Sequence, residues 1–156
     1  MLKRLMIPFI ISATITGTAV STAQAAESCM PIGGTGMANF VPQEDGTITI
    51  VAPMTGSMSN AAGKITAQRK TETGLEMDME HYFMTEKGGF MHTKDLGILT
   101  KIPGKKDRYM IEITYQIQSS TSSGVLKKYK GTFSSFGLVD LAKLIGVIRY
   151  SGEICK

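Results

Sequence analysis

Apolar and polar residues alternate in several stretches of this chain, most regularly from Tyr109 to Ile117. Every second residue there, beginning with Tyr109, is aromatic or aliphatic, and the residues between are mostly polar. A repeat of two is typical of a β-strand that packs one face against a core. The stretch therefore predicts a strand with one buried and one exposed side.

Similar runs recur along the chain, separated by short segments rich in glycine, proline, asparagine and serine. Such segments join antiparallel neighbours rather than strands linked by crossover helices. Counting the runs gives about eight or nine strands, which indicates an all-β antiparallel barrel or sandwich. We favour a closed antiparallel β-barrel of about eight strands, because closure leaves no unpaired edge. The predicted strands are 47–52, 54–58, 61–69, 75–83, 90–102, 109–117, 125–133 and a final pair within 137–155, with 37–41 as a short further candidate.

Two further segments need an interpretation. Residues 31–36 are glycine-rich, and we interpret them as a flexible leading segment, since no lysine follows to make a phosphate-binding loop. Residues 138–148 also fit one face of a helix. The alternation from Val147 to Ile154 favours a strand, a turn and a strand instead.

Residues 1–25 have the pattern of a secretory signal peptide. Lys3 and Arg4 precede an apolar run, and residues 23–25 supply the small residues of a cleavage site. Serine and threonine interrupt this run, which falls short of the ~20 apolar residues of a membrane span. We predict a cleaved leader and one barrel domain over residues 26–156. The protein is then exported, periplasmic or secreted, and has no membrane attachment after cleavage.

The charged residues do not indicate a nucleic-acid partner. The formal net charge is +4, and Lys3 and Arg4 of the predicted leader contribute to it. Lysines cluster within 101–106 and 127–130, and we interpret both clusters as solvated turn and edge charges.

The two cysteines, Cys29 and Cys155, lie near opposite ends of the predicted domain. In an oxidising compartment such a pair usually forms a disulfide. Closing so long a loop contributes roughly 4–5 kcal/mol in the chain-entropy model. A metal or nucleophile pair is the weaker interpretation, because the C-x-x-C spacing is absent. The predicted bridge would bring the first and last strands together, as a closed barrel requires.

The strand predicted at 75–83 has an apolar face that includes a histidine, opposite a face of mostly acidic residues. Tyr115 and Tyr129 fall on inward faces of their own predicted strands. Aromatic and thioether side chains that converge inside a barrel are typical of an apolar ligand cavity. The predicted ligand-binding residues are Met77, Met79, His81, Phe83, Tyr115 and Tyr129.

His81 has three interpretations: a buried hydrogen-bonded core residue, which we favour, a group that orients a ligand, or a general base. With Met77 and Met79 it also offers the soft donors that Cu(I) prefers. Methionine more commonly fills an irregular interior, so no metal site is predicted. We interpret Asp95 as a residue that holds a turn through its carboxylate. No catalytic residue is assigned, and the G-x-S-x-G motif of a nucleophilic serine is absent.

Several segments in the second half of the chain resemble the β-barrels related to plant allene oxide cyclases and dirigent proteins. They are Asp95–Leu99, the alternating strand from Tyr109, Gly131–Phe133, Gly137–Leu141 and Arg149–Ile154. The resemblance implies an eight-stranded barrel with an apolar cavity, often dimeric or trimeric. Members that catalyse reactions do so mainly by holding a reactive chain in one conformation. No catalytic residue of the plant cyclases aligns with this chain.

Together these observations predict an exported β-barrel that binds a small apolar or amphipathic molecule in its interior. The expected partners are that molecule and, by the resemblance, further copies of the chain, with no cofactor, nucleic acid or membrane. A barrel-type cyclase or isomerase and a periplasmic Cu(I)-binding protein are the two alternatives.

Overall fold

The computed structural model describes residues 28–156, which form a closed antiparallel barrel of eight strands. Each strand pairs with the next along the chain, and β8 pairs with β1 to close the ring. The all-β prediction is confirmed, and the predicted signal peptide lies outside the described residues. Two short 3-10 helices, Ser119–Thr121 and Gly124–Leu126, interrupt the connection between β6 and β7. The strands are β1 Cys29–Pro42, β2 Ile48–Pro53, β3 Asn60–Lys70, β4 Gly74–Met84, β5 Phe90–Lys101, β6 Arg108–Ile117, β7 Thr132–Asp140 and β8 Ile145–Cys155.

Alternation in the sequence sets which side chains fill the barrel. On β6, Ile111, Ile113 and Tyr115 are buried, whereas Glu112 and Thr114 between them are exposed. The same rule holds on β4 and β5, whose inward positions are almost all buried. The interior is therefore one apolar core enclosed by a single curved sheet.

The seam between β1 and β8 closes the barrel. Their ladder extends from the pair Cys29 and Cys155 to the pair Asn39 and Ile145. The two cysteines form a disulfide across a sequence separation of 126 residues, which confirms the predicted bridge. The segment 31–36 is therefore part of β1, and its interpretation as a flexible leading segment was wrong.

Glycines in β1 have a packing role that composition alone did not indicate. A Cβ on Gly34 would lie 1.8 Å from the carbonyl oxygen of Thr55, because the loop at 54–59 crosses β1 there. Backbone bonds fix the crossing, since the N–H of Thr55 donates to the carbonyl of Thr35 at 2.8 Å. Tyr150 also holds this loop, its hydroxyl donating to the Thr55 carbonyl at 3.0 Å and accepting the Met58 N–H at 2.9 Å.

Two predicted strands are loops. Residues 54–58 form the crossing loop, where Gly56 adopts a φ of +91° close against Gly33. Val125 and Leu126 belong to the second 3-10 helix, and the residues after it contact the sheet through one isolated bridge, Lys130 to Cys155, before β7 begins at Thr132. Leu126 and Tyr129 are both buried at a spacing of three, so these residues do not have the repeat of two that a strand requires.

Residues 138–148 form the end of β7, a turn and the start of β8, so the strand interpretation is confirmed. Leu144 in this turn has a φ of +56°, and the Asp140 carboxylate accepts the Lys143 N–H at 3.1 Å. Among residues 28–156, no helix is long and apolar enough to cross a membrane.

The barrel has two ends that differ in their loops. We call the end with the bridge between β1 and β8 the disulfide end. Three loops cover this end, 54–59, 85–89 and 118–131. The opposite end has the four connections 43–47, 71–73, 102–107 and 141–144.

Candidate functional site

A histidine and an aspartate meet inside the barrel, on the inner faces of β4 and β5. His81 Nδ1 lies 2.6 Å from Asp95 Oδ2, and their side chains are 6% and 0% exposed. Strand register places the pair, because Asp95 is opposite Met79, one inward position from His81. The interpretation of Asp95 as a turn residue was therefore wrong, since it lies in the middle of β5. His81 is buried and hydrogen-bonded, as the favoured interpretation expected.

The hydrogen bond between them sets the chemistry of the imidazole. A carboxylate only accepts hydrogen bonds, so beside ionised Asp95 the proton of a neutral His81 is on Nδ1. Nε2 is then an acceptor on the other edge of the ring. Within residues 28–156, the Asp95 Oδ1 atom and the Thr93 hydroxyl are buried without a hydrogen-bond partner. The inner face of β5 thus has polar atoms that could bind a further donor.

Aromatic rings surround the histidine. The His81 ring stacks on Phe83 with centroids 5.7 Å apart and meets the edge of Tyr115 at 5.6 Å. Tyr115 stacks on Phe133 at 4.5 Å, and its hydroxyl forms a 2.9 Å hydrogen bond with Ser135. Burial raises the pKa of Tyr115 far above its usual value, the Ser135 hydrogen bond opposes this, and nearby Asp95 adds to it. Tyr115 therefore remains a neutral phenol at physiological pH.

A glycine on β3 makes room for the imidazole. Gly63 is directly opposite His81, and a Cβ there would lie 2.8 Å from Nε2 and 2.5 Å from Cδ2. Small residues on the inner face of a strand leave room for curvature or for the close approach of another group. At this position, the group that approaches is the protein's own histidine.

Two methionines lie beside His81 on the inner face of β4 and extend toward β5. Met77 and Met79 are buried, and their terminal methyl groups lie 3.4 and 2.5 Å from where a Gly97 Cβ would be. Their methyl ends thus cover β5, whereas the Nε2 edge of His81 lies over β3. The two thioether methyl groups and the Nε2 atom of His81 therefore point to different neighbouring strands.

A small cavity remains between these side chains. It is about 30 Å³ in volume, enough for on the order of two water molecules. Most of its lining is aliphatic or aromatic. Among the predicted ligand-binding residues, those that line it are Met79, His81, Phe83 and Tyr115.

A much larger pocket opens at the disulfide end. Its volume is about 810 Å³, and Tyr129 is the predicted ligand-binding residue that lines it. The Tyr129 hydroxyl donates to Met30 Sδ at 3.3 Å, and Lys156 Nζ lies 5.0 Å from the centre of its ring. Met54 lines both this pocket and the inner cavity, and so lies between them.

The pattern of apolar and polar residues did not predict this pocket. Its apolar floor and charged rim come from the loops at 54–59, 85–89 and 118–131, and from residues beside both cysteines. Alternation predicts which side of a strand is buried, but not which loops converge. A disulfide predicted between Cys29 and Cys155 was the one hint that Met30 and Lys156 would be neighbours.

The second histidine lies outside the barrel wall. His92 is buried beneath the connection after β6, with Nδ1 2.5 Å from the Thr121 hydroxyl and its ring stacked on Tyr82 at 4.6 Å. His81 and His92 are thus on opposite faces of the sheet. Among residues 28–156, no group of three or more His, Cys, Asp or Glu side chains could hold a metal ion.

Comparisons of this chain with protein-family models, with curated proteins and with solved structures find no match. The resemblance to allene oxide cyclase-like and dirigent-like barrels stays a prediction, and the geometry of the two cavities is the basis for a functional proposal.

Proposed function

We propose that this protein binds a small amphipathic molecule in the pocket at the disulfide end. The observation that carries the proposal is the pocket itself, about 810 Å³ in volume with an apolar floor and a polar rim. Ligand sites for small molecules are typically clefts of about 300–1,000 Å³ lined mainly by apolar side chains. The inner cavity, at about 30 Å³, is too small for such a molecule.

The floor of the pocket suits a flexible apolar body. Three methionines line it, together with Leu126 and Tyr129. Methionine has an unbranched, polarisable side chain that adapts to ligands of different shape. The methionines are Met30, Met54 and Met58.

The rim favours an anionic head group. Lys87 and Lys156 line the pocket, with Glu86 as the acidic residue beside them. Lys127 and Lys128 are exposed on the neighbouring loop. The excess of positive charge would attract a carboxylate, sulfate or phosphate attached to an apolar chain.

Calorimetric titration with two amphiphiles of equal chain length and opposite charge tests this proposal. Below their micelle concentrations, dodecanoate should bind the disulfide-bonded protein more tightly than dodecyltrimethylammonium. Added salt should reduce this difference in affinity, because it screens the charges of the rim. Val125 lines the pocket and is 50% exposed. Val125→Glu should therefore weaken dodecanoate binding about tenfold, or 1.4 kcal/mol, without unfolding the barrel.

The matched control is Val41→Glu, which adds the same charge at a residue 42% exposed near the opposite end. It should leave binding unchanged. Absence of binding by either amphiphile, or equal loss in the two variants, would overturn the proposal.

Export is part of the same proposal. The disulfide between Cys29 and Cys155 supports it, because such bonds persist mainly in oxidising compartments.

A second candidate function is proton transfer at the His81–Asp95 pair, as in a barrel-type isomerase. The observation that favours it is the 2.6 Å hydrogen bond in apolar surroundings, because an Nδ1–H that donates to Asp95 leaves Nε2 as a proton acceptor. Nε2 would remove a proton between a carbonyl and a double bond, the C–H electron pair would form a dienolate, and the imidazolium would return the proton to the γ-carbon. The substrate would have to displace Met54, so this function ranks second.

Cyclohex-3-en-1-one is a suitable probe, because its conjugated isomer absorbs in the ultraviolet. Isomerisation faster than in buffer, lost in His81→Gln and reduced in Asp95→Asn, would support this function. A rate equal to that in buffer would leave the pair with a structural role only.

A further inference from the structure

The outer surface over β6, β7 and β8 is apolar across neighbouring strands. Met110, Leu138 and Val147 are in direct register there. These side chains are 48%, 56% and 54% exposed, respectively. Met37 on β1, 63% exposed, extends the row, since it pairs with Val147. Neighbouring exposed apolar residues of this size are typical of a protein–protein contact.

The next row along the strands has a different composition. Phe136 on β7 is 56% exposed and lies between Glu112 on β6 and Arg149 on β8. Strands are about 4.8 Å apart, so the two charged residues are separated by roughly 10 Å. Within residues 28–156 neither forms an ion pair, whereas other exposed charges, such as Lys64 with Glu80, do.

We propose that a second copy of this chain packs on this surface about a two-fold axis that runs along β7. We call it the β7 face, made of Met110, Glu112, Phe136, Leu138, Val147 and Arg149. Rotation about such an axis places β6 of one subunit over β8 of the other. Glu112 then meets Arg149 of the partner subunit. On the other side of the axis, Arg149 meets Glu112 of the partner subunit.

The apolar residues match under the same rotation. Phe136 and Leu138 lie near the axis and would each pack on their own copy, while Val147 meets Met110 of the partner subunit. A shallow depression of about 270 Å³, lined by Leu138 and Val147, lies where that methionine would insert. A self-complementary surface of this kind is what a two-fold interface requires.

The positions of Glu112 and Arg149 on either side of Phe136 favour a second copy of the chain over another occupant. A lipid surface would have to bury Glu112 in the middle of the patch without a partner. An unrelated protein would need an acid and a base spaced to match, whereas the chain itself supplies both. The barrel curves away from the axis, so the contact is smaller than the ~800 Å² per partner of a standard interface. We expect a dimer with a dissociation constant on the order of 1–100 µM.

Sedimentation velocity over a concentration series of the purified, disulfide-bonded protein tests the proposal. The wild-type chain should shift from monomer to dimer as its concentration rises. Phe136→Glu should weaken association at least about tenfold, because it places two like charges at the axis. Circular dichroism should show an intact barrel, since Phe136 is already half exposed.

Charge exchange makes the test specific to this geometry. Glu112→Arg alone and Arg149→Glu alone should each weaken the dimer, because each leaves like charges opposed. The double variant should return within about threefold of the wild-type dissociation constant. Val125→Glu, which adds the same single negative charge as Phe136→Glu but at the disulfide end, should leave association unchanged.

Four results would overturn the proposal. They are a monomer at all concentrations, a trimer, a dimer that Phe136→Glu leaves intact, or a double charge variant no better than the single ones.

Discussion

The two faces of strand β4 contain side-chain hydrogen bonds to carboxylates that are nearly equal in length but lie in very different surroundings. On the outer face, the Arg69 guanidinium reaches Glu76 and Asp78, each at 2.7 Å, and all three side chains are well exposed. On the inner face, His81 lies 2.6 Å from Asp95 and both are buried. Distance alone would rank these contacts as equals.

The difference teaches that surroundings set the energetic role of such a pair. In water, the charges on the outer face are solvated and screened whether or not they meet, so their contact contributes little. Inside the barrel the side chains of His81 and Asp95 are almost completely removed from bulk water. Removing one of them leaves the other as an uncompensated buried polar group.

Asp95→Ala should have the largest effect on stability, because it breaks the inner pair. We expect the free energy of unfolding, measured by urea denaturation at neutral pH, to fall by about 3 kcal/mol, because the buried imidazole N–H loses its acceptor. Asp78→Ala, which removes an acid from the outer face of the neighbouring strand, is the control and should barely move the midpoint. Similar losses of unfolding free energy in Asp95→Ala and Asp78→Ala would contradict the view that burial sets the energetic role of these contacts.

Gly63→Ala should have an intermediate effect on the same inner pair. The new methyl group would meet the His81 ring and the carbonyl oxygen of Glu80, which lies 2.7 Å from the Cβ position. Overpacking of this kind costs about 1–3 kcal/mol. In Gly36→Ala the nearest side-chain atoms are 3.4 Å away, an ordinary contact, so this control should keep its thermal midpoint. If Gly63→Ala keeps its midpoint too, the imidazole does not need the space that this glycine provides.

The outer pair should give the smallest effect, visible in the pH dependence. The side-chain hydrogen bond from Arg69 lowers the pKa of Asp78 below its usual value. A depressed carboxyl pKa contributes stability that is present above the unfolded-state value, near 3.8, and is lost as the pH falls through the folded value.

Carbon-detected NMR titration should show that low pKa in the wild type and a normal one in Arg69→Gln. High salt should reduce the difference between the Asp78 pKa values of the wild type and Arg69→Gln. An Asp78 pKa that Arg69→Gln leaves unchanged would show that the contact does not persist in solution.

Alternation along the chain predicted the fold because a strand in a barrel has one apolar neighbourhood and one aqueous one. The inward positions of β4 and β6 are identifiable for that reason, and His81 was among them. The partner of His81 was not, because Asp95 reads locally as a turn former and only strand register places it inside. Residues 31–36 show the same limit, since glycine lowers strand propensity in general but is required where another loop lies on the strand.

The position of the disulfide has a consequence for when the pocket at the disulfide end is complete. Met30 and Lys156, which follow the two bridged cysteines in sequence, both line the pocket at the disulfide end. A nascent chain has no complete pocket until residue 156 has been synthesised, β8 has paired with β1 and the thiols have been oxidised. If this pocket binds the ligand we propose, the reduced chain should bind it more weakly than the disulfide-bonded protein.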